Sequence, residues 1–402
     1  YFKGTYNGDE KEITNIYINN NTINRQGGLF GYIGHGGEVK NIIISGTIIN
    51  NIVRPTGGIV GRNDGIIDNC VNNANVENNL MSVGGIAGSN FNTIKNCVNS
   101  GTAKGSSGEG AGGIVGNGGS IKEATIKEPI IESCTNTDKA IVEGNSYIGG
   151  ICGYTYASKI KNCTNEGTVT ASTSMVGGIV GESKTDISSC KNKGEITSNG
   201  CPANQATTQG TGGIAGRASS TISKCSNIGT ISSNGFFTGG IVGFGEEGTN
   251  VEESYNYNAI IQAGKSGAGG IVGRGDGITI ENCYNYLSSN EYYIHTQDEN
   301  AGGIIGAFAG GTNNTIKNCY SIGNNIKSVS VSWNVPNYYA GAVIGVTYAD
   351  ETNIANVYYE NTNPLQALSP DSYKTNGTIQ SKPLQDFKSQ ITNTNSVTYI
   401  LN

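Results

Sequence analysis

Apolar side chains along this chain fall in short clusters, and Gly, Asn, Ser or Thr closes each cluster before it grows long. The clusters recur in a fixed order. A five-residue block, Gly-Gly-aliphatic-aliphatic/small-Gly, stands at Gly27, Gly57, Gly84, Gly112, Gly149, Gly177, Gly212, Gly239, Gly269 and Gly302, and once more in degenerate form at Gly341 (GAVIG). The shortest spacing, 57 to 84 and 212 to 239, is 27 residues; longer spacings carry insertions on that bare repeat. A second signature follows the block: TIKNCVN at Thr93, KIKNCTN at Lys159, DISSCKN at Asp186, TISKCSN at Thr221 and TIENCYN at Thr279. A third short segment comes next, as in GTVT at Gly167, GEIT at Gly194 and GTIS at Gly229. The pattern predicts strand–turn–strand–turn–strand in each repeat. No helical spacing appears inside the repeats.

Strands this short cannot bury an apolar face alone, but repeats stacked in parallel can. The expected fold is all-β: a parallel β-solenoid of about eleven coils, right-handed by default, with a C-terminal cap. At about 4.8 Å per rung it stands roughly 50 Å tall. Ile59, Ile86, Ile114, Ile151, Ile179, Ile214, Ile241, Ile271 and Ile304 should stack in one interior column. Asn72, Asn99, Asn136, Asn165, Asn192, Asn227, Asn256 and Asn285 should form a second, bonding side chain to side chain. The Gly pairs suit a tight corner, a positive φ or a close approach of neighbouring coils. Residues 1–26 read as an incomplete first coil, 27–360 as the solenoid, and 361–402 as a cap or exit linker. In that last segment Pro364, Pro370 and Pro383 appear, and the stretch from Ser381 looks like a short helix start.

Composition narrows the function classes. Of 402 residues 62 are Gly, and there are only 2 His and 1 Trp, which excludes most His-dependent chemistry. The net charge is −6 without Lys/Arg runs, so no footprint for nucleic acid or an anionic membrane appears. No apolar run is long enough to span a bilayer. Tyr1 lacks a charged-then-apolar leader behind it, which reads as a piece of a longer chain. Eight of the 10 Cys (Cys70, Cys97, Cys134, Cys163, Cys190, Cys225, Cys283, Cys319) hold one place in successive repeats, and Ser254 fills that place once. Such a column reads as small buried side chains rather than disulfides, and one Cys per coil makes no zinc site. Cys201, before Pro202 in an insertion, stands apart as a candidate exposed thiol.

The block G-G-I-V-G followed by N-C-x-N-x-G resembles the GLUG repeat of bacterial surface proteins, over about residues 2 to 360. That repeat occurs in large adhesins and upstream of the catalytic domain in some IgA-cleaving zinc metallopeptidases. The resemblance implies a secreted or wall-attached bacterial protein with a β-helical region, and it carries over no catalytic residue. The peptidase signature H-E-x-x-H is absent: Gly36-Gly37-Glu38 follows His35, and Thr296-Gln297-Asp298 follows His295.

Candidate chemistry is sparse. Arg274-Gly275-Asp276 spells an integrin-type tripeptide, yet Arg62-Asn63-Asp64 builds the same turn earlier, so a corner role competes. The carboxylates Asp64, Asp68, Glu77, Asp186, Glu195, Glu246 and Glu247 and the arginines Arg25, Arg54, Arg62, Arg217 and Arg274 do not fall in neighbouring equivalent positions, so no paired-carboxylate site can be drawn. Thr168 and Thr170 begin an outward Thr row that Glu195 interrupts. The main irregularity is aromatic: one insertion holds Tyr292, Tyr293 and His295, and the next holds Trp333, Tyr338 and Tyr339. Both leave the repeat at the same point, so they should project side by side as a candidate ligand site, the alternative being that the rings cover the wall or the C-terminal end. The reading is a non-catalytic extracellular domain binding a host glycan or glycoprotein, without cofactor or metal. Its runner-up is an accessory region of a peptidase, and the third reading is a carbohydrate-active β-helix.

Overall fold

The computed structural model describes residues 1–21, 25–106, 110–120, 128–173, 175–200, 209–329, 339–349, 352–360, 365–368 and 375–383. Among the described residues every strand pairing is parallel and no helix occurs. The chain winds as a β-solenoid, each strand pairing with its equivalent one coil later; one column carries eleven strands from Phe30–Ile33 to Ile344–Thr347. Below the first coil, Thr5–Asn20 pairs in parallel with Glu38–Asn50 and so adds a rung.

From the second coil to the last but one, each holds five strands where the sequence pattern predicts three; in the first, Glu38–Asn50 runs unbroken. In one coil they are Val176–Gly177, Val180–Ser183, Ile187–Ser188, Lys191–Asn192 and Ile196–Ser198, first to fifth. Two extra corners cause the difference. Inside the Gly block, the N–H groups of Ile179 and Val180 both donate to the carbonyl of Ile214, at 3.1 and 2.9 Å, and the chain turns between them. Inside the second signature, the residue before the Cys adopts the left-handed conformation. Its φ is 51° at Asn69, 54° at Asn96, Asn162, Ser189 and Asn282, and 55° at Lys224. Asn tolerates this region better than most residues, which accounts for Asn at many of these corners.

The interior is a set of columns. The expected Ile column is fully buried, and each member donates its N–H to the carbonyl of the next, as in Ile86 to Ile114 at 3.0 Å. The third strand contributes Ile67, Ile94, Ile131, Ile160, Ile187 and Ile222, the fifth Val76, Ala103, Val142, Val169, Ile196 and Ile231, all buried. The Asn column is continuous from Asn72 to Asn285: each Nδ2 donates to the Oδ1 of the next Asn at 2.8–2.9 Å. It stops where Ser321 takes the next place, and Asn285 Nδ2 is left buried without a partner.

Of the three roles open to the Gly pairs, close approach is the one realised. The pair from Gly57-Gly58 onward keeps negative φ, whereas a Cβ on Gly85 would collide with the carbonyl of Gly113 and Oδ1 of Asn99. The eight column cysteines are buried and free, each Sγ 3.2–3.3 Å from the carbonyl two residues before it. Ser254 makes the same bond at 2.9 Å. Cys152 is also buried and free, in the second strand; Cys201 lies outside the described residues.

Beyond residue 360 the ladder runs on. Thr375–Asn376 pairs with Thr352 and Asn353, and Ile379–Lys382 pairs with Val357–Glu360. Ser381 and Lys382 end a strand, because the open edge of the last coil offers parallel pairing groups; the rest of the stretch expected to start a helix lies outside the described residues.

Candidate functional site

The interior columns leave no room for chemistry, so the outer wall is where a site must be sought. Tyr292 and Tyr293 follow the fourth strand Tyr284–Tyr286, and His295 lies in the fifth strand Ile294–Thr296. The His295 ring stacks on Tyr293, with centroids 4.2 Å apart, and its Nε2 is 3.2 Å from Asn325 Oδ1. Burial, opposed by the Asn325 bond and reinforced by Lys327, holds His295 below its ordinary value, so it is neutral near pH 7. Tyr292 packs on the apolar cluster of Ala259, Ile261 and Ile294. These three side chains are half-buried in the wall.

The second insertion opens elsewhere. It leaves between the fifth strand Ile326–Ser328 and the next first strand, Ala340–Gly341, whereas the first opens between fourth and fifth strands. The shared exit point expected from the sequence is absent, because the insertion lengths alone did not show which corner each one widens. Tyr339 is 9% exposed at the corner before Ala340. Trp333 and Tyr338 lie outside the described residues.

A second aromatic feature escaped the sequence reading. The position after the column Cys is Val71, Val98, Thr135, Thr164, Lys191 and Ser226 in early coils, then Tyr255, Tyr284, Tyr320 and Tyr358 in four consecutive ones. Tyr255 and Tyr284 stack at 4.9 Å and 5°, Tyr257 and Tyr286 beside them at 5.1 Å and 8°. Lys382 Nζ sits 3.7 Å from the centre of the Tyr358 ring. Tyr255, Tyr257 and Tyr286 are half-buried, whereas Tyr284 is 7% exposed and its hydroxyl is buried without a partner. The Y-N-Y strings at Tyr255 and Tyr284 were the available signal.

Charged groups also meet where the sequence reading placed none. Glu182 is the register partner of Arg217. Its carboxylate, 3% exposed, accepts from the Tyr156 hydroxyl at 2.9 Å and lies 3.7 Å from the Arg217 guanidinium, which also binds Glu246. Burial and the Glu182 charge push the Tyr156 hydroxyl well above its ordinary range. Burial opposes the Arg217 charge, but Glu246 and Glu182 outweigh it and raise its pKa. The missing clue was Glu182 itself, hidden inside the block GGIVGES. Arg274-Gly275-Asp276 runs along the second strand Val272–Gly275 and into the next corner. The Arg274 guanidinium lies over Phe237, 4.8 Å from the ring centre, and Gly275 is buried. Among the described residues no three His, Cys, Asp or Glu side chains converge as a metal site.

No curated protein and no solved structure matches the chain. The GLUG motif matches residues 144–170. Those 27 residues begin at the end of the fifth strand Ile141–Gly144 and stop inside the fifth strand of the next coil, Thr168–Ala171. The matched unit is thus one full turn of the solenoid, equal to the bare repeat. The chain contains a GLUG-repeat region, a type of repeat associated with bacterial surface and secreted proteins.

Proposed function

We propose that this chain is a non-catalytic binding domain displayed outside a bacterial cell, and that its target is a host glycan or glycoprotein. One observation carries the reading: in the fourth strand, the position after the column Cys is Tyr only in the later described coils, where earlier coils hold Val, Thr, Lys or Ser. Those earlier coils stack without a ring in that column, so the stack does not require one there. Tyr255, Tyr257 and Tyr286, half-buried around the buried Tyr284, give a rigid surface that loses little side-chain entropy on binding. Tyr292, Tyr293 and His295 extend the same wall.

The test is an array of host glycans and matrix proteins, probed with the 402-residue chain and with a variant carrying Tyr292, Tyr293, His295, Trp333 and Tyr338 as Ala. Tyr339 stays unchanged because it is buried. Saturable binding that the variant loses while keeping its circular dichroism supports the reading. Absence of binding by either form removes it and leaves a spacer or a companion region of a peptidase.

A carbohydrate-active reading draws on the Tyr156–Glu182–Arg217–Glu246 cluster. Against it stands geometry: Glu182 is almost fully buried, with both of its carboxylate oxygens engaged. Release of reducing or unsaturated ends from a polysaccharide panel, abolished by Glu182→Gln, would restore it.

A further inference from the structure

Arg62, Arg217 and Arg274 occupy one column of the second strand, and two of the three are paired. Arg62 binds Asp64 through Nε at 2.9 Å and Nη2 at 3.3 Å, and Arg217 is held by Glu182 and Glu246. Arg274 has Asp276 at the same two-residue offset, yet among the described residues no carboxylate lies within ion-pair distance of it. Its guanidinium instead rests over Phe237 and Phe244, at 4.8 and 5.8 Å, and its Nε is buried without a partner. The next residue up the column is Ala307, too small to fill the space above. A cavity of about 320 Å³ results, whose lining includes Arg274, Phe236, Phe237, Asn300, Glu299 and Tyr348. Asn300 is 4% exposed; its Nδ2 donates to Ser266 Oγ at 2.8 Å, and its Oδ1 has no partner.

We propose that this cavity binds a carboxylate-bearing sugar residue, the Arg274 guanidinium taking the carboxylate, Asn300 Oδ1 and Glu299 accepting from hydroxyls, and the aromatic rings packing on the pyranose. The inference rests on the reading of the chain as a binding domain and names the class of ligand. A half-buried guanidinium with no carboxylate in direct contact is costly, and a ligand carboxylate completes it with paired hydrogen bonds. A bare anion fits less well, because Glu299 opposes it and the acceptors go unused. A neutral sugar uses the acceptors and the rings but leaves Arg274 uncompensated. The size suits one sugar ring, at the small end of ligand cavities.

The test is an NMR titration of the whole chain with methyl glucuronide, the methyl glycoside of N-acetylneuraminic acid and methyl glucoside. Arg274→Met and Arg274→Lys are run alongside, their folds checked by thermal melting. At least one acid should bind about tenfold more tightly than the glucoside, Arg274→Met should erase that preference, and Arg274→Lys should retain part of it. A glucuronide-only response assigns uronic-acid polymers, and a sialoside-only response assigns host glycan termini; either supports the site. Equal binding of acids and glucoside, or acid binding unchanged in Arg274→Met, overturns it. Silence with all three sugars while the array is positive overturns the cavity and spares the binding domain. Silence in both experiments removes both.

Discussion

Asn165 shows what a single side chain does in this fold. It accepts from Asn136 Nδ2 and donates to Asn192 Oδ1, both at 2.8 Å, and donates to the Gly167 carbonyl at 3.1 Å. Asn165→Leu strands a buried donor below and a buried acceptor above, so unfolding free energy in urea should fall by about 2–5 kcal/mol. Cys190→Ser, by contrast, should cost under about 1 kcal/mol, because Ser254 already makes the same bond in the same column. Two buried groups also set a pH limit. Burial keeps the thiol of Cys152 well above its ordinary value of 9.0, and burial raises the Tyr284 hydroxyl likewise. The unfolded chain therefore loses these protons first. Their contribution to stability is complete below about pH 9 and is lost as pH rises beyond it. The urea midpoint should hold from about pH 6 to 8 and fall steadily above about pH 9. A midpoint that stays level at alkaline pH contradicts the burial of these two groups.

At the scale of the strand and its corner, the glycines divide by cause. Gly150 has ordinary φ but no space: a Cβ there would strike the Gly178 carbonyl and the Asn165 side chain. Gly248 has φ of 84° and open space around it. Gly150→Ala should lower stability by about 1–3 kcal/mol or more, whereas Gly248→Asn should be close to neutral. Melting temperatures of the two variants check the contrast; equal losses would mean that conformation, not rung spacing, selects the Gly pairs. Ion pairs across rungs, such as Lys161 to Glu132 at 3.2 Å and Lys317 to Glu281 at 2.9 Å, are half-exposed and trim the wall only slightly. The third, fourth and fifth strands were legible as two segments because their apolar positions alternate. The corner that splits the second signature was not, since Ser189, Lys224 and Glu253 take it as readily as Asn.

The whole molecule behaves as a stack whose unit is one turn. Deleting Gly149 to Val176 removes a full coil and joins Ile148 to Gly177, positions that follow each other in every coil. The product should fold with the same strand content and a stack about 4.8 Å shorter by small-angle scattering. Removing half that length shifts every later column off its partner and should give a chain without cooperative unfolding. Folding of the half-coil deletion would show that the columns are not in fixed register.

Period, strand direction and the inward columns were determined by the sequence alone, because each repeats a local residue type and identical residues stack on identical residues. Ile59 to Ile304 and Asn72 to Asn285 are where the spacing put them. The outer wall is different. Its contacts join residues that share a column but not a residue type, such as Glu182 with Arg217 and Tyr156, or Arg274 with Phe237. Insertions of unequal length displace such residues in sequence, and only the rung register brings them together. Whether a guanidinium meets Asp64, as Arg62 does, or turns from Asp276 over a pair of rings depends on neighbours in the coils before and after. That choice belongs to tertiary packing, and it is what opens a cavity at Arg274.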